Sequence, residues 1–169
     1  MAGYNDLENL DHAPTLATAL GNMVVAWARA ESILVAAFAR VTGIDINMAI
    51  MGYYRIPSYE ARTKFLSALL TEWKTEKYQV DQIATEIAGL NRLAAARNDW
   101  VHGVWCANAS LTETVIFDFR KPDAANPTET GRRKPVKTAD VSNHVRAVLE
   151  RSKKLDALVG AHALFHRLQ

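Results

Sequence analysis

The chain has 169 residues, 49% of them hydrophobic, which suffices to bury one core and points to a single domain. A formal net charge of +2 excludes a global electrostatic case for nucleic-acid binding, so any such case has to rest on local patches. The single cysteine, Cys106, excludes an intramolecular disulfide and fits a reducing compartment.

Residues 1–13 are polar and aperiodic and are expected to be a flexible arm, with no basic stretch and apolar run of the secretory kind. Pro14 or Thr15 opens a long helix, because proline is tolerated in a first helical turn. Leu16, Leu20, Met23, Val24, Trp27, Leu34, Phe38 and Val41 recur at steps of mostly three and four, and Gly43 ends the run. Glu31 interrupts that stripe. A carboxylate on an apolar face needs a cation or several donors. Arg29 and Glu31 within the apolar stretch also argue against a membrane span, so a cytoplasmic protein is expected.

Residues 44–57 read as an irregular connector with at most one helical turn around Asn47 to Met51. Ser58 is the expected N-cap of a second helix, with Phe65, Leu66, Leu69, Leu70 and Trp73 on its apolar face and Arg62 one turn earlier. A third helix is expected from Tyr78 to about Val101, buried through Val80, Ile83, Ile87, Leu90, Ala94 and Val101. Arg97 fills the missing place in that series. Arg62 and Arg97 are therefore two candidate partners for Glu31.

After Gly103 the period changes from helical to alternating. Val104 to Asn108 and Thr114 to Phe119 are expected to form an antiparallel hairpin, with a turn around Ala109 and Ser110. Lys121 to Pro135 is loop-like, and a short strand is expected at Pro135 to Lys137. Thr138 is the expected N-cap of a last helix, which Asp140 favours electrostatically and Val141, Val145, Val148, Leu149, Leu155, Leu158, Val159 and Leu164 make amphipathic. The order predicts a mainly α protein: an antiparallel four-helix bundle over residues 14–169, with a β-hairpin insertion at about 103–137 before the last helix.

Leu93 to Trp105 is the densest concentration of functional side chains. Arg97 and Asn98, followed by His102, make an Arg-x4-His pattern late in a bundle helix, and in this the chain resembles the HEPN superfamily. That resemblance implies a homodimer acting as a metal-independent endoribonuclease of a toxin-antitoxin or antiphage system, with RNA as substrate and an antitoxin or other protein as a possible further partner. It further implies that Arg97 stabilises a charged phosphorane, that His102 is the general acid or base, and that Asn98 orients His102 or binds phosphate. Glu31 and Arg62 would support the site. The other implied role is a noncatalytic HEPN-like module for dimerisation or for binding RNA, a nucleotide or a protein. One geometric difficulty is visible at once. Residues five apart on a regular helix are rotated by roughly 140°, so Arg97 and His102 share a face only if Gly103 opens the last turn or a second protomer contributes.

Trp100 and Trp105 are candidates for base stacking, with core or dimer packing as the other reading. Arg120, Lys121, Arg132, Arg133, Lys134 and Lys137 are candidates for a phosphate-binding rim, against an ordinary solvated loop. Cys106 reads as a small core residue. His162 and His166 lie four apart but lack the glutamate of His-Glu-x-x-His, so no metal or other cofactor is expected, and no glycine-rich nucleotide loop is present.

Overall fold

The computed structural model describes residues 4–73, 76–118 and 131–160. These form a mainly helical protein with a small sheet: β1 (Tyr4–Asp6), α1 (Pro14–Thr42), α2 (Ile46–Arg55), α3 (Tyr59–Glu72), α4 (Lys77–His102), β2 (Val104–Asn108), β3 (Thr114–Asp118), β4 (Arg132–Pro135) and α5 (Thr138–Val159). The strands lie in the order β1-β2-β3-β4, every neighbouring pair antiparallel. The chain clusters into two compact units, Met1–Val24 with Ala94–Val145, and Val25–Leu93 with Arg146–Gln169. Among the described residues no single helix is long and apolar enough to cross a membrane.

In the second unit, α1 is buried at every position from Ile33 to Ala39. Alanines at 36, 37 and 39 let neighbouring groups approach the helix closely on several sides, which a one-sided stripe would not require. Gly43, at φ 71°, ends α1 by donating its N–H to the Ala39 carbonyl at 2.8 Å, a left-handed closure that glycine adopts without strain. The connector expected to be irregular is instead helix α2. Asp45 caps it by accepting the Asn47 N–H at 2.8 Å, and Ile46, Ala49 and Tyr53 bury one narrow line. A stripe of one apolar residue per turn, beside Gly52 and two tyrosines, is too thin to stand out from turn composition.

Ser58 caps α3 as its position predicts, accepting the Ala61 N–H at 3.1 Å. Leu66 and Leu70 are buried, together with Thr63, whereas Phe65 is exposed. The series Ile83, Ile87 and Leu90 is buried on α4. Arg151 of α5 lies over Gly89, where there is no Cβ to obstruct it, and donates to Glu86 at 3.0 Å. Gln79 donates to the Leu158 carbonyl at 3.0 Å. Val148, Ser152, Leu155 and Val159 form the buried line of α5 here. The last-helix positions 161–168, including Leu164, lie outside the described residues.

In the first unit the start of the chain is a correction to the expected flexible arm, because Tyr4–Asp6 is strand β1. Tyr4 pairs with Asn108 and Asp6 with Cys106, and the Leu7 N–H donates to the Trp105 carbonyl at 2.9 Å. The Tyr4 hydroxyl donates to Glu113 at 2.7 Å, while the Arg133 guanidinium lies 5.2 Å from its ring centre. β1 thus covers the edge that β2 would otherwise expose. The β2–β3 hairpin forms as predicted, but its turn is longer. Asn108 Oδ1 accepts the N–H groups of Thr112 and Glu113, and Leu111 takes φ 55°. The strand expected at Pro135 to Lys137 is instead Arg132–Pro135, beginning three residues earlier and ending two earlier. The reason is pairing: Asp118 sits opposite Arg132 and Phe117 opposite Arg133.

One sheet face carries Cys106, Val115 and Phe117 as a buried cluster, with Tyr4 and Val104 packed against it. Burial, reinforced by Asp6 3.4 Å from Sγ, pushes the Cys106 thiol up to about 11. The core reading of this cysteine is the one observed. Two residues read as apolar-stripe members, Val24 and Val101, are exposed at 59% and 44% and do not belong to the core.

Candidate functional site

α4 runs without interruption to His102. The Gly103 N–H donates to the Asp99 carbonyl at 2.9 Å, an ordinary helical bond, so the last turn is closed rather than opened by the glycine. The role of Gly103 is clearance. A Cβ there would stand 2.7 Å from the Asp99 carbonyl oxygen and 3.2 Å from Cβ of Ile116, so only glycine allows the chain to pass from helix to β2 this tightly.

The next free carbonyl, that of Trp100, is capped by the Trp105 indole N–H at 3.1 Å. Trp100 itself is 6% exposed and stands edge-on to His144 of α5, ring centres 4.9 Å apart. A base cannot stack on a ring so enclosed, so Trp100 is a packing residue and not a stacking platform. His144 is also buried, and desolvation holds its imidazole below the ordinary histidine value. Trp105 is half-buried, with its N–H committed to the helix end.

Asn98 and His102 are exposed and lie four apart on one line of the closed helix. Arg97 is half-buried, and its Nη1 donates to Asn98 Oδ1 at 3.0 Å. The guanidinium therefore leans round the helix toward the line that carries His102. Of the two candidate partners for Glu31, Arg62 is the one that faces it, at 3.9 Å. Arg62 also donates through Nε to the Ile56 carbonyl at 3.0 Å and lies over the rings of Tyr53 and Tyr54.

The basic run of β4 is divided by the pleat of the strand. Arg132 and Lys134 share the face on which a small cleft of about 50 Å³ is lined by them with Asp99, Ile116 and Asp118. Lys134 Nζ lies 3.6 Å from Asp99 Oδ2. Arg133 points to the opposite face, over Tyr4. The single rim expected from the sequence is in this respect two separate cationic positions, since strand neighbours alternate faces. Lys137 is exposed at the start of α5. Arg120, Lys121, His162 and His166 lie outside the described residues, and among the described residues no group of three or more His, Cys, Asp or Glu side chains is arranged to hold a metal.

Sequence reasoning overlooked His144, Asp99 and Asp118. His144 had a signal, because it fits the spacing Val141, His144, Val148 of the α5 stripe. Asp99 of α4 and Asp118 of β3 had none, since the register of β3 and β4, which brings Lys134 and Arg132 to them, is not written in either strand by itself. Comparison of the chain with protein-family models, curated proteins and solved structures yields no match.

Proposed function

We propose that the chain is a HEPN-like, metal-independent endoribonuclease that acts as a homodimer, with α1, α3, α4 and α5 as the four bundle helices and α2 an addition to the connector. The observation that carries this reading is the Arg97–Asn98 hydrogen bond, which turns the guanidinium toward the exposed line of His102. Phosphodiester cleavage by the ribose 2′-hydroxyl needs a proton acceptor for that hydroxyl, a proton donor for the 5′-oxygen, and a cation for the phosphorane. His102 and Arg97 supply groups of those kinds. As the 2′-oxygen bonds to phosphorus the P–O5′ bond breaks, leaving a 2′,3′-cyclic phosphate and a 5′-hydroxyl, and no metal takes part.

Because the helix is regular to its last residue, the angle between Arg97 and His102 remains near 140° within one chain. The reading therefore requires a second protomer, with the two copies of Asn98 and His102 facing across a two-fold axis. A noncatalytic association module is the competing reading, and it draws support from the pairing of Lys134 with Asp99, which leaves that cation less available to phosphate.

The test is cleavage of a mixed-sequence RNA in the presence of chelator by the wild type, Arg97→Ala and His102→Ala. Each substitution is expected to lower the rate on the order of 100-fold, and the product ends should be cyclic phosphate. Equal cleavage by all three proteins sinks the assigned roles, and no cleavage by the wild type favours the association module.

A further inference from the structure

We infer that the slot between α4 and α5 binds a small zwitterion with an apolar body, of the class of a free hydrophobic α-amino acid. This does not rest on the ribonuclease reading, since every residue it uses lies in the second unit, apart from Arg97 and His102. Two polar ties join the helices here: Gln79 Nε2 donates to the Leu158 carbonyl and Arg151 donates to Glu86, both at 3.0 Å. On each helix the tied residues are seven positions apart, Gln79 to Glu86 and Arg151 to Leu158, so the ties stand roughly 10 Å from each other. Between them opens a cavity of about 490 Å³ whose lining includes Tyr78, Asp81 and Glu86 of α4 with Lys154, Ala157 and Leu158 of α5.

The volume falls within the range of small-molecule sites, about 300–1,000 Å³. The length argues the same way. A partner helix laid along the slot would span it from one tie to the other with its i and i+7 anchors alone, whereas a molecule the size of one amino acid fits between them. The apolar part of the lining comes from Ala157, Leu158 and the ring of Tyr78, which is 74% exposed and is tethered to its own helix by Gln82, whose Nε2 donates to the hydroxyl at 2.8 Å. Ala157 adds depth, because its side chain is a single methyl group.

Charge selects the ligand. Of the charged groups in the lining, Glu86 is committed to Arg151. Asp81 and Lys154 make no ion pair with each other or with any other described residue. The α4 side of the slot therefore offers a free carboxylate, and the α5 side a free ammonium. A simple amine would satisfy the first and leave the second, and a simple acid the reverse. An α-amino acid carries both groups on one carbon and sends its side chain toward Tyr78, Ala157 and Leu158. The opposite signs cancel over the slot, so a polyanion such as RNA or an anionic lipid surface gains nothing there.

The test titrates L-phenylalanine and L-leucine into the full chain and follows the backbone amide NMR shifts. Saturable shifts are expected at residues 78–86 and 154–158. Phenethylamine and 3-phenylpropionate, each lacking one of the two charged groups, should bind at least about tenfold more weakly than phenylalanine, and Asp81→Asn and Lys154→Met should weaken phenylalanine to a similar degree. Ala157→Trp fills the slot and should abolish binding. All three substituted positions are exposed, so the core is left intact, and thermal unfolding checks this. No saturable shift from either amino acid up to about 10 mM overturns the inference. It is also overturned if either single-charge analogue binds as tightly as phenylalanine, or if phenylalanine binds Ala157→Trp, Asp81→Asn or Lys154→Met as it binds the wild type.

Discussion

At position 144 a histidine occupies the buried line that Val141, Val148, Ser152, Leu155 and Val159 otherwise make on α5, packed against Trp100. Its imidazole is held below the ordinary 6.5 by desolvation, so over the intervening pH range the unfolded chain binds a proton that the folded chain does not. Stability from this group is complete above the unfolded value and is lost as pH falls through it toward the folded one. Urea unfolding at about pH 7.5 and about pH 5.5 should therefore show a larger loss of stability in the wild type than in His144→Phe. An equal loss would mean that His144 is already free to protonate in the folded protein. At this scale the sequence was informative about Arg97, Asn98 and His102, which are consecutive or one turn apart. It was ambiguous about Arg97 and Glu31, because two arginines satisfied the same periodicity. Whether an arginine on a mixed face turns toward a distant carboxylate or an adjacent amide depends on what stands beside it in space.

Among elements, α1 and α3 are joined through Glu31 and Arg62, but the two partners are not equivalent. Among the described residues the ion pair of Glu31 is the one with Arg62 at 3.9 Å, whereas Arg62 also donates to the Ile56 carbonyl and covers Tyr53 and Tyr54. Arg62→Ala is expected to destabilise the protein by about 2–3 kcal/mol and Glu31→Ala by about 1 kcal/mol, because the first removes packing and a carbonyl's donor as well as the charge. Denaturant titration of both variants is the measurement, and a Glu31 loss equal to that of Arg62 would contradict this ordering. The long helices α1 and α4, the cap at Ser58 and the β2–β3 hairpin were legible because their signals are local. α2 and β1 were not. A helix with one buried residue per turn and a strand of three residues have too little periodicity of their own, and both are held by what they pack or pair against.

For the molecule as a whole, Cys106 is a built-in reporter. It is the chain's one thiol, lies 1% exposed in the sheet cluster and is pushed up to about 11, so both access and ionisation oppose its reaction. Labelling with a thiol-reactive dye at about pH 8 should be at least ~100-fold slower in native buffer than in denaturant, and should speed up as the sheet opens. Labelling at the rate of a free cysteine would show that this face is open in solution. The sequence by itself determined the helical class, the helix ends at Gly43 and Ser58, the change of period at Gly103 and the motif that makes His102 a candidate. All of these follow from spacing, capping and backbone freedom within a few residues. Only the tertiary structure decided that Glu31 faces Arg62, that Trp100 is enclosed by His144, that β4 sends Arg132 and Lys134 to one face and Arg133 to the other, and that residues 4–6 close a sheet edge. These depend on register and on contacts between residues distant in the chain, and a periodic pattern records that a face is buried without recording what it is buried against.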